Sequence, residues 1–159
     1  MSRTELPVVG RPPADLAGLR AALAREVSGE VRFDRLSRAL YATDASVYQI
    51  VPAGVVLPRT EADVLAVVGA CARFGVPLTA RGGGTSQAGR AIGPGVVLDC
   101  SKYLGEILEV NAAERWARVQ PGCVLDDLNR AVKPHGLHFP HDVSTADRAT
   151  LGGMVANNS

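Results

Sequence analysis

Three consecutive glycines, Gly82 to Gly84, stand just after the apolar run Val76-Pro77-Leu78-Thr79-Ala80 and Arg81, and just before two hydroxyl residues, Thr85 and Ser86. Three residues without side chains weaken any helix or strand interior, so the chain is expected to turn here. A turn after a strand, with backbone N–H groups unshielded by Cβ atoms, is a place where an anion can be held. The glycines are expected to take positive φ and let those N–H groups converge, with the Thr85 and Ser86 hydroxyls as further donors. A plain tight turn is the competing reading.

The residues ahead of the loop set its context. Val55-Val56-Leu57 is a short β-rich run stopped by Pro58. Thr60-Glu61-Ala62-Asp63 then supplies an N-cap and first-turn acids. Val64, Val67, Val68 and Cys71 fall on one helical face, and Gly75 provides the stop before the second strand at Val76 to Ala80. Strand, helix and strand in this space form a βαβ unit, which favours a parallel pair. Further upstream, Leu16, Leu19, Leu23 and Val27 recur at helical spacing behind Asp15 and Pro12-Pro13, and Gly29 ends that helix. The charged stretch Glu30 to Arg38 leads into Tyr41 to Ser46, read as loop.

Beyond the glycines, Val96-Val97-Leu98, Ile107 to Val110 and Trp116 to Gln120 read as three more strands, with alternation that suggests a sheet with one wet face. Val124, Leu125, Leu128 and Val132 mark a helix ended by Pro134 and Gly136. His135 to Ala149 has no period, and an aperiodic stretch of that length is usually functional.

Two common owners of such a loop fail on spacing. A Walker loop needs Gly-Lys-Ser or Gly-Lys-Thr, yet Gly84 to Gly89 is followed by Arg90-Ala91. A Rossmann fingerprint starting at Gly82 meets Gln87 where its last glycine belongs, so Asp99, which imitates the ribose-binding acid, is a decoy. Charge removes other partners: 17 basic against 16 acidic side chains give +1, too weak a field for nucleic acid or an anionic membrane. Hydrophobic residues at 47% and charged residues at 21% fit an ordinary folded domain. Met1 to Gly10 carries no apolar run of about seven or more residues, so neither a signal peptide nor a transmembrane anchor is expected, and a cytoplasmic address is the default, with peripheral contact at the inner membrane left open. Cys71, Cys100 and Cys123 lack metal spacing and read as small buried hydrophobes.

The run Thr79 to Gly89 resembles the pyrophosphate loop of the vanillyl-alcohol-oxidase type, or PCMH-type, FAD-binding fold. Four further blocks agree in order: Val55 to Pro58, Val97 to Lys102, Val119 to Gly122 with Leu125 to Asn129, and Ser144 to Met154. Within that family the chain looks most like FAD-linked D-2-hydroxyacid dehydrogenases, the relatives of D-lactate and D-2-hydroxyglutarate dehydrogenases and of the glycolate oxidase flavin subunit. The resemblance implies an α+β fold: a small βαβ subdomain, then the start of a second α+β subdomain, C-terminally truncated. Residues 1–40 would be a helical lead-in and 41–159 an incomplete FAD-binding domain, with cap and iron-sulfur regions absent.

The resemblance also implies roles. Arg81, Gly82, Gly83, Gly84, Thr85 and Ser86 would hold the FAD pyrophosphate. Pro121 and Gly122 would shape the wall near the flavin, and Asp142, Ser144 and Thr145 would pass beside it. Thr150, Gly152 and Gly153 would let a second turn approach closely, with Asn157 near the ring system. Thr85 stands where covalent branches carry a histidine, which implies non-covalent FAD. Pro140-His141-Asp142-Val143 departs from relatives with a proline after the aspartate.

His135, His138 and His141 are broken up by Pro134, Gly136 and Pro140, so no metal site is expected. Trp116 reads as packing. The catalytic residue is not assigned, because no general base presents itself. The implied whole protein oxidises a small D-2-hydroxyacid to a 2-oxoacid and passes electrons to another acceptor, with an iron-sulfur cluster possible in the missing C-terminal region. An oxidase, a reductase of the peptidoglycan-precursor type, or an inactive binding module remain alternatives. Binding of FAD by residues 1–159 alone is expected to be weak or absent.

Overall fold

The computed structural model describes residues 15–159. Met1 to Gly10 and Pro12-Pro13 lie outside them. The order is α1 (Leu16–Glu26), β1 (Glu30–Arg32), α2 (Arg35–Leu40), β2 (Gly54–Leu57), α3 (Glu61–Phe74), β3 (Leu78–Arg81), β4 (Val96–Asp99), β5 (Ile107–Asn111), β6 (Trp116–Val119), α4 (Leu125–Val132), a 3-10 turn (Lys133–His135) and α5 (Leu151–Asn157).

Local chemistry explains the helix ends. Asp15 caps α1 by accepting from the Gly18 N–H at 2.7 Å, and Thr60 caps α3 by accepting from Asp63 N–H at 3.1 Å. Gly75 ends α3 in the left-handed region at φ 63°, a conformation that L side chains rarely adopt. The buried face of α3 is Asp63, Val67, Ala70 and Cys71. Val68, expected on that face, is 46% exposed, because it sits one residue too far round the helix.

The first subdomain is a four-stranded sheet in the order β1-β2-β4-β3. β2 and β3 run parallel, as a βαβ unit requires, but each pairs with β4 rather than with the other. The later strand slides between them, and all four of its residues are buried, so it is not part of a sheet with a wet face. The charged stretch after Gly29, read as a lead into loop, supplies β1, antiparallel to β2, and then α2, capped by Asp34. Leu19, Leu23 and Val27 share one core with Val56, Val67, Ala70, Val96 and Leu98. The leading helix is thus part of this core.

The second subdomain pairs β5 with β6 in an antiparallel hairpin. Its core gathers Cys123, Leu125, Leu128, Val132, Ala149, Leu151 and Met154. The aperiodic segment is pinned there: Leu125 N–H donates to Ala149 O at 3.0 Å, Leu151 N–H to Cys123 O at 2.8 Å, and Gly152 N–H to Pro121 O at 2.8 Å. Two side chains differ from expectation. Cys71 and Cys123 are buried, but Cys100 is only half-buried against the first core. Trp116 is partly exposed at the hairpin, where its indole N–H donates to Glu114 at 2.7 Å.

Candidate functional site

The glycine loop leaves the end of β3 and rests on the segment entering α5. A Cβ on Gly82 would come 2.0 Å from Thr150 Oγ1, and one on Gly83 would come 2.3 Å from the Arg148 carbonyl oxygen. Both lack side chains because the second subdomain already occupies that space. Of the three, Gly84 alone takes a positive φ, 67°.

Arg81 braces the loop from beneath. Its Nη1 donates to Thr43 O at 2.8 Å and to Ala91 O at 3.2 Å, its guanidinium lies 5.2 Å from the Tyr41 ring centre, and a Cβ on Gly84 would approach its Nη2 at 2.5 Å. Tyr41 in turn donates through Oη to Asp99 Oδ2 at 2.5 Å. Burial first, and then the Asp99 carboxylate, push the Tyr41 phenol above its ordinary value, so it remains a donor at neutral pH. Asp99 also accepts from Ser101 N–H at 2.8 Å and Oγ at 2.6 Å. The supposed ribose acid is a buried structural carboxylate. Asp44 accepts from Ala91 N–H at 3.2 Å and from Ser46 N–H at 2.9 Å. Burial raises its pKa, but these hydrogen bonds and the Arg81 charge outweigh that and hold it below the usual carboxylate range.

Above the loop lies a cavity of about 520 Å³, between the two subdomains. Gly82, Gly83, Gly84, Thr85 and Ser86 line it from one side, and Ser144, Thr145, Thr150, Gly153 and Asn157 from the other. Among the described residues, the backbone N–H groups of Gly82 to Gln87 donate no hydrogen bond to the protein. Ser86 Oγ accepts from Ala88 N–H at 3.2 Å and Arg90 N–H at 3.3 Å, leaving its own proton to be donated into the cavity. A row of unpaired N–H groups, with hydroxyls beside it and no carboxylate side chain in the lining, is suited to an anion. These residues fit the diphosphate of a dinucleotide.

Five sequence-predicted residues do not line the cavity. Arg81 works beneath the loop, and Asp142 is exposed outside it. Pro121 packs against Gly152, whose Cβ would meet Pro121 Cβ at 2.7 Å; Gly122 is buried against the Cys100 and Leu104 carbonyls. Gly152 and Gly153 form the first turn of α5, rather than a free turn, and Thr150 caps it by accepting from Gly153 N–H at 3.4 Å. Residues not anticipated include Gln87, Arg90, Val143, Met154 and Ala156. Of these only Arg90 carried a signal, a cation four residues after a hydroxyl that could hold its backbone.

The FAD binding domain family matches residues 52–159. D-2-hydroxyglutarate dehydrogenase of Pseudomonas putida is 46% identical over 130 residues, which is 80% of this chain and 13% of that protein. The glycolate oxidase subunit GlcD of Bacillus subtilis is 35% identical over 139 residues, 84% of this chain and 29% of its own. The chain therefore spans a minor part of the length of the curated relatives it matches. Among solved structures, 4-ethylphenol oxidase from Gulosibacter chungangensis superposes with a TM-score of 0.74 at 23% identity, over 92% of this chain and 29% of that one. An alkyldihydroxyacetonephosphate synthase gives 0.72 at 23% identity, over 92% and 29%. At these identities the likeness is one of fold.

Proposed function

The chain belongs to the FAD binding domain family, and from that premise we propose that it is the FAD-holding portion of an oxidoreductase that converts a D-2-hydroxyacid into a 2-oxoacid. The observation that carries this reading is the cavity lined by the free N–H groups of Gly82 to Gln87. The substrate class follows from the D-2-hydroxyglutarate dehydrogenase and glycolate oxidase relatives.

In this reading the N–H groups of Gly82 to Ser86 and the hydroxyls of Thr85 and Ser86 bind the diphosphate. Ser144, Thr145, Thr150 and Asn157 face it from the second subdomain, and Gly153 leaves room beside them. Arg81, Pro121, Gly122 and Gly152 act as positioning residues that hold the two walls together, and Asp142 stands at the loop outside. Residues 41–159 are the binding portion and 1–40 the lead-in. FAD, when bound, supplies the two-electron acceptor for oxidation of the alcohol carbon. The protein's own share is orientation and the exclusion of water from one side of the cofactor.

FAD is held without a covalent bond. Thr85 occupies the position of the linking histidine, and no histidine, cysteine or tyrosine is among the lining residues. The general base, the electron acceptor's contact and any iron-sulfur cluster belong to parts of the whole protein outside these residues.

Titration of the purified chain with FAD, followed by flavin fluorescence, tests the reading. Of the two outcomes expected from the sequence, weak or absent binding, the formed cavity favours the weak, saturable one, because the wall facing the diphosphate is in place while this chain supplies only part of the cofactor's surroundings. No binding at all refutes the FAD assignment, a tight yellow complex refutes the incompleteness of the site, and flavin that stays with acid-precipitated protein refutes non-covalent attachment.

A further inference from the structure

Among the described residues the cavity holds one charged side chain, Arg90, and no Asp or Glu lines it. Among the described residues no Asp or Glu forms an ion pair with Arg90. Its tether is neutral: Nη1 donates to Asn157 Oδ1 at 3.1 Å, from the last turn of α5. Its backbone is fixed by the N–H bond to Ser86 Oγ. The backbone of Arg90 is thus held by Ser86 and its side-chain tip by Asn157, beside a loop whose N–H groups are unpaired.

Arg81 does not play this part. Its Nη1 donors are spent on the Thr43 and Ala91 carbonyls beneath the loop, and it does not line the cavity. The remaining polar side chains of the lining are neutral amides and hydroxyls. An exposed arginine is ordinarily a solvated surface charge, and such a residue drifts or pairs with an acid. Arg90 instead bonds a neutral amide, and a guanidinium with five N–H donors keeps most of them free after one such bond.

We propose that Arg90, oriented by Asn157, is the counter-charge of the site: it recognises the diphosphate and so makes this site prefer FAD over a flavin that carries no phosphate. This rests on the FAD reading above. The planar guanidinium can give two parallel N–H bonds to phosphate oxygens, which a lysine cannot reproduce.

Dissociation constants for FAD and for riboflavin, measured on the intact chain and on Arg90→Gln and Arg90→Lys, test it. Arg90 is exposed, so melting curves should coincide with the parent and certify the fold. Arg90→Gln is expected to weaken FAD about fivefold, the scale of an exposed charged contact, and Arg90→Lys about twofold. Riboflavin should bind all three alike, and added salt should weaken FAD less in Arg90→Gln than in the parent. Asn157→Ala should give a smaller loss for FAD, with riboflavin again unchanged. If the parent binds FAD and Arg90→Gln binds it equally, the counter-charge is refuted while the FAD reading stands. Equal losses for FAD and riboflavin refute it too, since Arg90 would then act on the ring or on the fold. If the parent binds no FAD, both fall.

Discussion

Replacing Gly83 by alanine tests why the loop is glycine. The added methyl would sit 2.3 Å from the Arg148 carbonyl oxygen, about 1 Å inside ordinary contact, and its next neighbour on the protein, beyond Arg148 itself, is Thr85 Cγ2 at 3.6 Å. A backbone carbonyl cannot swing aside as a side-chain tip can. Thr145 O accepts from Arg148 and Ala149 N–H at 2.9 and 2.7 Å, and Ala149 O accepts from Leu125 N–H, so residue 148 is fixed from both sides. Overpacking of this kind costs about 1–3 kcal/mol, and the rigidity of the neighbour places Gly83→Ala near about 2–3. For a chain of this length each kcal/mol moves the melting temperature by about 2–4 °C. A drop of roughly 5–10 °C is therefore expected in a thermal melt without cofactor, followed by circular dichroism. The same clash should part the loop from α5 and weaken FAD as a consequence. A variant that melts with the parent but loses FAD would refute the reasoning, because the methyl would then point at the ligand and not at the second subdomain.

Gly69→Ala is the opposite case: it lies inside α3 with nothing within 4 Å of the new methyl, so relief of helix-interior glycine should stabilise the chain by about 0.5–1 kcal/mol in urea unfolding. Glu30 accepts from Lys102 Nζ at 2.5 Å, from the Tyr103 hydroxyl and from Arg32. The Lys102 and Tyr103 bonds, chiefly, hold its carboxyl well below the usual range, at about 2. A pKa depressed on folding contributes stability that is fully present above about 4.5 and is lost as pH falls through about 2. Glu30→Gln should therefore cost about 0.5–1 kcal/mol at pH 7, and the gap between the two proteins' denaturation midpoints should close between pH 4.5 and 2. A gap that stays constant across that range would refute the assignment.

The parts of the fold that were legible are those fixed by neighbours in sequence. Asp15, Thr60 and Gly75 mark helix ends because a cap bonds within three residues of itself. The position of β4 between β2 and β3 was not legible, since Val96 to Leu98 carry no record of which strands they meet. The three-residue β1, in which only Val31 is apolar, was hidden in a charged stretch; its place is set by pairing with Val55 to Leu57. α5 was hidden by Gly152 and Gly153, poor helix formers; Gly152 is there because Pro121 crowds the first turn, while a Cβ on Gly153 would meet the capping Thr150 Oγ1 at 3.1 Å.

The candidate site divides along the same line. That Gly82 to Ser86 offers donors to an anion follows from residue types alone. Why Gly82 and Gly83 are glycine does not, because the atoms that exclude a Cβ belong to Thr150 and Arg148, far along the chain. Arg90 entered the sequence argument only as the residue that spoils a Walker loop, and its tether to Asn157 is likewise long-range. A common physical cause joins these points: the cavity is the seam between two cores, so the contacts that fix Gly82, Gly83 and the Arg90 side chain cross from one subdomain to the other. Ligand binding and subdomain docking are then linked, and a cofactor that spans the seam adds RT ln(1 + [L]/Kd) to the stability of the docked state. The loop glycines contribute to that affinity by letting the two cores close, while the N–H groups they expose make the contact itself.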